Sequence, residues 1–548
     1  MNKHALYHKS DSLYSFPLTG DTVEIRLRAA RGDVLSAAVI YGKKHMFIMD
    51  RKSAQMTLAA SDELYDYFVL RLKLTDKRLA YVFLLTGADG KQYYFSEDGV
   101  TEDYDFSVSF YNFFQLAYIN ENDVMQSVDW LARAVVYQIF VDRFFRGAVG
   151  GDDYVNMKWG DIPTPKSFAG GDLFGIAQKL DYITDLGVNT LYLTPIFTSR
   201  SNHKYDISDY YNVDPHFGGN EAFAELMDAC KKKGVRVILD AVFNHCSEDI
   251  ALFRDVKEKG AASEYHDWFI INGDKPTKKP LNYEVFAACD YMPKWNTANP
   301  KVQEYLCEVG EYWIKNYGID GWRLDVSDEV SHGFWRKFRT RIKALGGDKA
   351  LIGENWHDSR SYLRGEQFDS IMNYAFTKAM LDYFVYDTVN AEGLCDKLNG
   401  LMMRNTTQVN RMMLNLLDCH DTHRFYSMCG KDKNKLLLAL AIELFMPGAT
   451  MLYYGTEIPL EGGYDPDSRR CFTWDDHPFT AKIKELLKYK KLRALTEGDV
   501  VFGCENGLFT VTRAAVGQTV KLYVNNTGRA IKADGFTVSP FGYKITVK

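Results

Sequence analysis

The chain has 548 residues, of which 46% are apolar and 25% are charged, and its formal net charge is −6. This balance is typical of a globular protein and excludes a disordered, collagenous or fibrous chain. The small acidic excess gives no attraction for nucleic acid or anionic lipid, so we expect neither nucleic acid nor a membrane as a partner. Length predicts about three to four domain-sized units, although one barrel can absorb about 250 residues.

The N-terminus and the cysteines indicate a cytoplasmic protein. Residues 1–16 contain no continuous apolar segment of the kind found in a secretory signal. The longest apolar run, residues 436–446, is interrupted by Glu443 and is too short to span a bilayer. Nine cysteines are scattered without paired spacing, which favours reduced thiols and therefore a reducing compartment.

The N-terminal region, residues 1–122, has the pattern of an all-β domain. In residues 22–28, apolar Val23, Ile25 and Leu27 alternate with charged side chains, which is the period of a half-buried strand. Similar runs recur at residues 34–40, 67–72, 79–85 and 93–95. Several strands at this spacing predict a β-sandwich, which we interpret as a binding or packing module.

From about residue 130 the pattern changes to short apolar runs that alternate with helical segments. The predicted strands are residues 135–140, 190–193, 235–239, 319–324, 350–352, 370–372, 412–417 and 450–453. Continuous apolar runs of this kind suit parallel strands that are buried on both faces. Helical patterns at 173–186, 222–233 and 302–317 each end at a glycine. Eight strands with helical crossovers predict a (β/α)8 TIM barrel.

Two further segments complete the predicted organisation. Residues 246–299 are too long for an ordinary connection and predict an excursion, domain B, after the third strand. Residues 497–548 return to β alternation and predict a small C-terminal β domain. The fold class is therefore α/β: a TIM barrel over residues 123–496, flanked by an N-terminal β-sandwich and a C-terminal β domain. A basic run on one predicted helix, residues 336–343, is interpreted as a solvent-exposed face.

Four of the predicted strands end in acidic side chains. Asp240 ends the third strand, Asp325 the fourth, Glu354 the fifth and Asp421 the seventh. The carboxyl ends of all strands of such a barrel meet at one mouth, so we expect the four carboxylates to lie together. Crowded carboxylates repel one another, and at least one of them should have a raised pKa. A proton donor beside an ionised partner is what glycoside hydrolysis requires.

Two other interpretations of these residues stay open at this point. A single aspartate at a strand end is more often a helix cap, and a single histidine such as His245 or His420 is more often structural. A carboxylate cluster could also bind a divalent metal. Against the metal, Arg323 lies two residues before Asp325, where a guanidinium would hold a nucleophilic carboxylate ionised and oriented.

At these residues the sequence resembles the α-amylase family of glycoside hydrolases. The segments DAVFNH (240–245), GWRLDVSDE (321–329), the segment at Glu354 and LLDCHD (416–421) are similar to its four signature regions, in order. MPKWN at 292–296 is similar to the MPKLN of neopullulanases, cyclomaltodextrinases and maltogenic amylases. The runs at 201–218 and 462–470 resemble the same subfamily, which also carries an N-terminal β domain.

The resemblance implies roles for matching positions. Asp325 would be the nucleophile, Glu354 the general acid/base and Asp421 the third carboxylate, which stabilises the transition state. Tyr205 would stack on the glucose ring at the cleavage site, Phe286 and Trp356 would form the acceptor-side platform, and Asp465 with Arg469 would contact the far donor side. The full set implied for substrate binding is His203, Tyr205, Asp240, His245, Phe286, Arg323, Trp356, His420, Asp465 and Arg469.

The implied activity is retaining α-glucan hydrolysis of α-1,4 and some α-1,6 linkages, by double displacement, on cyclodextrins, pullulan and malto-oligosaccharides. A 4-α-glucanotransferase using the same glycosyl–enzyme intermediate is the first alternative. A catalytically silent glucan-binding protein is a second, although such a protein would be expected to have lost one of the three carboxylates. The subfamily also implies a homodimer formed through a carbohydrate-binding-like N-terminal domain.

A calcium ion is the one metal that the resemblance brings into question. The family usually carries an Asn/Asp-rich calcium loop after the first barrel strand, but residues 146–152 read RGAVGGD here. Asp152 and Asp172 remain as tentative ligands, short of the roughly six to eight oxygens that calcium prefers. We therefore expect no required cofactor and regard a structural calcium ion as doubtful.

Overall fold

The N-terminal domain consists of two antiparallel sheets that enclose a hydrophobic core. The computed structural model describes residues 1–147 and 153–548. The first sheet contains, in spatial order, Ser15–Thr19, Thr22–Ala30, Tyr65–Lys73 and Thr57–Ser61. The second contains Lys52–Gln55, Val34–Gly42, Leu79–Gly87, Gln92–Ser96 and Gly99–Thr101, with Phe114–Leu116 paired to Leu79–Gly87. The predicted N-terminal β-sandwich is confirmed.

The strand Thr22–Ala30 is covered on both faces. Apolar side chains such as Ile25 are fully buried in the core between the sheets, as the alternation predicts. Glu24 and Arg26 on the other face are buried as well, because that face packs against the barrel, where Arg26 Nη1 donates to Asn405 O at 2.7 Å. The charged side chains of this strand therefore lie at the interface between the N-terminal domain and the barrel.

Eight parallel strands form the barrel. They are Val135–Ile139, Thr190–Leu193, Arg236–Ala241, Gly321–Leu324, Ala350–Gly353, Ser370–Ile371, Leu414–Leu416 and Ala449–Tyr453. Each strand pairs with the next one in the sequence, except that the sixth and the seventh form no ladder, and the first also pairs with the eighth. A parallel bridge between Met372 and Leu414 joins the sixth strand to the seventh, and Asn373 N donates to Leu414 O at 2.8 Å at the same seam. The predicted TIM barrel is confirmed.

Helices cover the outside of the barrel. Those of the catalytic region are Leu173–Gln178, Leu180–Leu186, Gly219–Lys233, Ala251–Lys259, Pro300–Tyr317, His332–Leu345, Tyr374–Phe384, Ala391–Met403, Thr407–Asn410, Phe425–Met428, Lys433–Phe445, Pro478–Leu487 and Arg493–Glu497. Gly234 and Gly318 end two of them with positive φ, as predicted. Across residues 1–147 and 153–548, no helix has the length and apolar character needed to cross a bilayer.

Two sequence predictions about the helices are wrong in part. The helix predicted over 173–186 divides at Lys179, where ψ is 7°. The Lys179 ammonium lies 4.1 Å from the Phe145 ring and 4.2 Å from the Trp474 ring, so tertiary contacts hold the break. The basic run at 336–343 is not wholly exposed either, because Arg339 is buried in an ion pair with Asp369.

The excursion after the third strand returns to the barrel at the MPKWN run, residues 292–296. Trp295 N donates to Asn244 O, and Cys246 N donates to Pro293 O, both at 3.0 Å. Trp295 is fully buried at this junction. The run therefore fastens the end of the excursion beside the end of the third strand, next to the mouth of the barrel.

A four-stranded antiparallel sheet forms the C-terminal domain. Its strands, in spatial order, are Asp499–Glu505, Leu508–Ala515, Gln518–Asn525 and Gly542–Val547, with a small sheet of Ile531–Ala533 and Phe536–Val538 beside it. Buried Arg513 joins the domain to the barrel by donating from Nη1 to Phe445 O at 2.9 Å. The predicted boundary at 122/123 lies between the sandwich and the first barrel strand, and the one at 496/497 lies within Arg493–Glu497.

Candidate active site

The four carboxylates lie around one arginine at the carboxyl ends of the barrel strands. Arg323 is fully buried, and its Nη1 donates to Asp325 Oδ1 at 2.6 Å and to the Asp240 oxygens at 3.0 and 3.1 Å. Its Nη2 lies 3.0 Å from Glu354 Oε2 and 3.8 Å from Asp421 Oδ2. One fixed guanidinium therefore gathers the four side chains that the sequence predicts to lie together.

The two oxygens of Asp325 have different surroundings. Oδ1 accepts the 2.6 Å hydrogen bond from Arg323, whereas Oδ2 is buried and has no hydrogen-bond partner among the described residues. Burial raises the pKa of Asp325 well above its usual range, Arg323 opposes this rise, and the neighbouring carboxylates, Glu354 foremost, add to it. A carboxylate that is held through one oxygen and open at the other is oriented for attack through Oδ2.

Glu354 is held by donors from two sides. Val326 N donates to Oε2 at 2.9 Å, and Trp356 Nε1 donates to Oε1 at 3.1 Å. Val326 has a φ of 45°, a left-handed conformation that costs a β-branched residue about 1–3 kcal/mol. This strained turn directly after Asp325 points a backbone N–H at Glu354, so it aligns the two carboxyl groups with each other.

Asp421 joins the cluster through His420 and Arg469. Arg469 Nη2 donates to Asp421 Oδ1 at 3.2 Å, and His420 Nε2 lies 3.1 Å from Oδ2. Burial lowers the pKa of His420 well below its usual value, so the ring is neutral. Because the amide nitrogen of Gln138 lies 2.8 Å from Nδ1, the ring accepts there and carries its proton on Nε2, beside Asp421.

Tyr205 reaches the cluster from the segment after the second strand. Its hydroxyl donates to Asp240 Oδ2 at 2.9 Å and contacts His420 Nε2, and the two rings are parallel with their centroids 5.5 Å apart. Tyr192 OH donates to the same Asp240 oxygen at 2.7 Å. Burial raises the pKa of Asp240 to about 6, although Arg323 opposes the rise. Asp240 thus orients Arg323 and the two tyrosines.

Two more histidines of the predicted site are neutral. Burial lowers the pKa of His245 to about 3 and that of His203 to about 4. His245 Nε2 has no hydrogen-bond partner among the residues that the structure describes, and its ring stacks on Phe286 at 4.5 Å between centroids. A buried imidazole nitrogen without a partner is unfavourable until a ligand hydroxyl binds it. His245 and Phe286 therefore offer a ligand one polar and one apolar contact.

Trp356 supplies an exposed aromatic face. It is 44% exposed, and it stacks on buried Tyr374 with centroids 3.8 Å apart and planes inclined by 6°. A ring that is held by a stacked neighbour on one face is a rigid platform for the apolar face of a sugar on the other.

Arg469, which contacts Asp421, also pairs with Asp465 at 3.0 Å, so the predicted donor-side pair is connected to the carboxylate cluster.

Of the two tentative calcium ligands, the structure describes only Asp172, and Asp152 lies outside the described residues. Asp172 caps the helix Leu173–Gln178, since its Oδ1 accepts from Gly175 N at 2.6 Å and its Oδ2 from Gly147 N at 2.9 Å. Both oxygens therefore accept hydrogen bonds from backbone N–H groups, and Asp172 acts as a helix cap in the described structure.

A second group of metal-ligand types lies at Cys419, His420 and Asp421, whose ligand atoms are within 4.8 Å of one another. Cys419 Sγ lies 3.4 Å from Tyr374 OH, and both nitrogens of His420 contact neighbouring side chains. Burial raises the pKa of Cys419 to about 12, so the thiol is protonated in this network. These contacts fit a hydrogen-bond network and not a metal site.

Three residues that contact the predicted site residues are not among those predicted from the sequence. Gln138 and Tyr192 are polar side chains within apolar strands, and each contacts a predicted site residue, His420 and Asp240 respectively. A polar residue inside a buried strand is the signal that could have identified them. Tyr374, which supports Trp356, begins the helix after the sixth strand and has no comparable signal in the sequence.

The fold and the site define the class of protein. Two carboxyl groups at the mouth of a (β/α)8 barrel, one oriented for attack and one aligned beside it, with neutral polar groups and aromatic faces around them, are the arrangement of a glycoside hydrolase.

Comparison with known proteins gives the family. The profile "Alpha amylase, catalytic domain" matches residues 138–497, and "Alpha amylase, N-terminal ig-like domain" matches residues 1–120. The chain is 41% identical to a cyclomaltodextrinase of Thermoanaerobacter pseudethanolicus, over 96% of this chain and 93% of the relative. It is 39% identical to neopullulanase 2 of Thermoactinomyces vulgaris, over 96% and 91%. A solved cyclomaltodextrinase structure has a TM-score of 0.92 at 36% identity, over 97% of this chain and 92% of that one. The chain belongs to the α-amylase family of glycoside hydrolases.

Proposed function

We propose that this enzyme hydrolyses α-1,4 and some α-1,6 linkages in cyclodextrins, pullulan and malto-oligosaccharides, with retention of configuration. The observation that carries the proposal is Asp325, whose Oδ1 is fixed by Arg323 and whose Oδ2 is buried without a partner among the described residues. Glu354 Oε2 lies 3.0 Å from the other terminal nitrogen of the same guanidinium, Nη2, as an ion pair. The names of the relatives, cyclomaltodextrinase and neopullulanase 2, support the substrate class.

The reaction proceeds in two displacements. Glu354 gives its proton to the glycosidic oxygen while Asp325 Oδ2 forms a bond to the anomeric carbon and the bond to the leaving oxygen breaks. Glu354, now a carboxylate, takes a proton from a water molecule, whose oxygen attacks the anomeric carbon and releases Asp325. Two inversions at one carbon give net retention. Asp421 stabilises the positive charge that develops on the sugar in both steps.

Transfer to a sugar is a second outcome of the same intermediate. The observation that favours it is the exposed face of Trp356, a residue whose Nε1 donates to Glu354 at 3.1 Å. A sugar stacked there would lie beside the general base and would compete with water for the anomeric carbon. Products longer than the substrate at high maltotriose concentration would identify 4-α-glucanotransfer.

The test of the substrate class is a product profile. We expect purified wild-type protein to release reducing sugar from β-cyclodextrin, pullulan and maltotriose, with Asp325→Asn as the blank. No release above the blank from any of the three would contradict the proposal. The relative rates would rank the three substrates.

We further propose that activity requires no bound metal. The contacts of Asp172 to two backbone N–H groups support this, since they leave the carboxylate engaged as a helix cap. We expect the rate on β-cyclodextrin to be unchanged after incubation with EDTA. Complete loss of activity, restored by calcium, would contradict this and revive a metal-dependent mechanism.

We propose a homodimer formed through the N-terminal domain, which would narrow the entrance to the mouth. Apolar side chains are exposed on that domain, such as Met49, which is 73% exposed, and Tyr111, which is 89% exposed. They support a surface there that contacts a second copy of the chain. Sedimentation that shows only monomer at micromolar concentration would contradict the dimer.

A cytoplasmic location is supported by the nine cysteines, all of which are free.

A further inference from the structure

Tyr205 is carried to the carboxylate cluster by a hairpin. The hairpin pairs Phe197–Ser199 with Ile207–Val213, and residues 200–206 form its turn. The neighbour of Tyr205, Lys204, is fully buried although it lies in this turn. Lysine is almost never fully buried unless its ammonium has a charge partner, so this position needs a physical explanation.

The Lys204 ammonium ties the tip of the turn to its base. Nζ donates to Asp214 Oδ2 at 2.7 Å and to Ser199 O at 2.9 Å. Asp214 Oδ2 also accepts from Ser199 N at 2.9 Å, and its Oδ1 accepts from His216 N at 2.9 Å. Among the described residues, Asp214 is the only carboxylate within ion-pair distance of Lys204. The pair therefore closes the hairpin at both of its strands.

The backbone at Lys204 is held in an uncommon conformation. Its φ is 64°, in the left-handed region, which a residue other than glycine adopts only where its surroundings impose it. Lys204 N donates to Ser201 Oγ at 3.0 Å, and Tyr205 N donates to His203 Nδ1 at 3.1 Å. The chain reverses direction at Lys204, directly before Tyr205, whose hydroxyl donates to Asp240 at 2.9 Å.

We propose that Lys204 is a positioning residue for Tyr205. Its buried ion pair with Asp214 maintains the left-handed turn that places the Tyr205 hydroxyl between Asp240 and His420. This rests on the proposed function and on the role that the family resemblance implies for Tyr205, contact with the sugar at the cleavage site. The Lys204 nitrogen binds Asp214 and the hairpin backbone and not the catalytic carboxylates, so it acts on the reaction only through its neighbour.

The experiment is a double-mutant cycle on kcat/KM with Lys204→Met and Tyr205→Ala, alone and combined. The two substrates are β-cyclodextrin and 4-nitrophenyl α-maltoside. We expect each single substitution to lower kcat/KM by about 10- to 100-fold, and Lys204→Met to add less than about threefold once Tyr205 is absent. Asp214→Asn should reproduce the effect of Lys204→Met, because it removes the other half of the ion pair.

A matched control separates positioning from stability. Lys343 forms the same kind of pair, with Nζ 2.8 Å from Asp369 Oδ2 and 2.6 Å from Lys349 O, at the other end of the barrel. Lys343→Met should lower Tm but leave kcat/KM at the wild-type value. Lys204→Gly provides a second variant at the site, since glycine accepts the left-handed turn while the ion pair is lost. It should lower kcat/KM as Lys204→Met does.

Three results would overturn the proposal. One is that Lys204→Met and Lys204→Gly lower Tm and keep the wild-type kcat/KM, as the control does. Another is that the losses from Lys204→Met and Tyr205→Ala multiply fully in the double variant. The third is that Tyr205→Ala has no effect on kcat/KM. Wild-type activity on the aryl maltoside without activity on β-cyclodextrin would contradict only the proposed substrate, and the cycle would then be measured on the aryl maltoside.

Discussion

The two ends of the barrel place buried aspartates in opposite surroundings. At the amino end, Asp369 is fully buried and both of its oxygens are bonded: Oδ1 accepts from Arg339 Nη1 at 2.7 Å, and Oδ2 from Lys343 Nζ at 2.8 Å and Leu351 N at 2.9 Å. At the carboxyl end, Asp325 is also buried, but its Oδ2 has no partner among the residues described.

This difference separates stability from function in one fold. Asp320, also at the amino end, repeats the paired arrangement, with Arg236 Nη1 at 2.7 Å and Val237 N at 2.9 Å from its oxygens. Charges there are matched and hold strands and helices together. At the mouth, the pKa of Asp240 and that of Asp325 are raised because burial and mutual repulsion are only partly compensated by Arg323. Of these carboxylate oxygens, Asp325 Oδ2, which has no hydrogen-bond partner among the described residues, is the one available to a substrate.

The largest expected effect comes from the same substitution at each end. Asp325→Asn removes the proposed nucleophile and should lower kcat by about 10⁴-fold or more, with little loss of stability because it also removes repulsion. Asp369→Asn should lower the free energy of unfolding by about 3–5 kcal/mol, because it leaves buried Arg339 without its charge partner, and it should leave kcat unchanged. Denaturant unfolding and initial rates would measure both, and a catalytic loss in Asp369→Asn would erase the distinction between the ends.

The next effect tests the role of Glu354. Glu354→Gln keeps the shape of the side chain but removes its acid/base function, so kcat on malto-oligosaccharides should fall by about 10²–10⁴-fold. On α-maltosyl fluoride the glycosylation step should be impaired much less, because fluoride leaves without a proton. Equal losses in that step on both substrates would contradict the assignment of Glu354 as general acid.

A smaller effect concerns the dependence of stability on pH. The pKa of Asp240 is about 6 in the folded protein against an ordinary value of 3.8, so the folded state binds this proton more tightly than the unfolded chain does. Its contribution to stability is therefore fully present below about pH 4 and is lost as the pH rises through about 6, by up to about 3 kcal/mol. Between these pH values the free energy of unfolding of the wild type should fall relative to Asp240→Asn. A rise in this free-energy difference with pH would show that the attraction of Arg323 for the Asp240 carboxylate outweighs the effect of burial.

The smallest expected effect is at the exposed face of the mouth. Trp356→Ala removes the ring that stacks on Tyr374, a contact worth about 0.5–1.5 kcal/mol, and should lower the ratio of transfer to hydrolysis by up to about tenfold. Chromatography of the products from maltotriose would measure the ratio. An unchanged ratio would show that acceptor sugars do not use this ring.

The sequence predicts the barrel and its carboxylates because both depend on local pattern and one general rule. Apolar runs define the strands, and the carboxyl ends of parallel strands meet at one mouth, so Asp240, Asp325 and Glu354 are found by reading the end of each run. The interface role of Glu24 and Arg26 is not predicted, because alternation shows that a strand has two unlike faces and not what covers the charged one. The break at Lys179 likewise depends on aromatic rings far away in the sequence.

By itself the sequence determined the order of the elements, the residue types at each strand end and, through its signature segments, the family. Only the tertiary structure decided which of those charged groups are paired. Asp172 and Asp325 both look like catalytic or ligand residues in the sequence, yet one has its oxygens bonded to backbone N–H groups and the other keeps Oδ2 without a described partner. The physical reason is that pairing depends on contacts between distant segments in three dimensions, which no local period encodes.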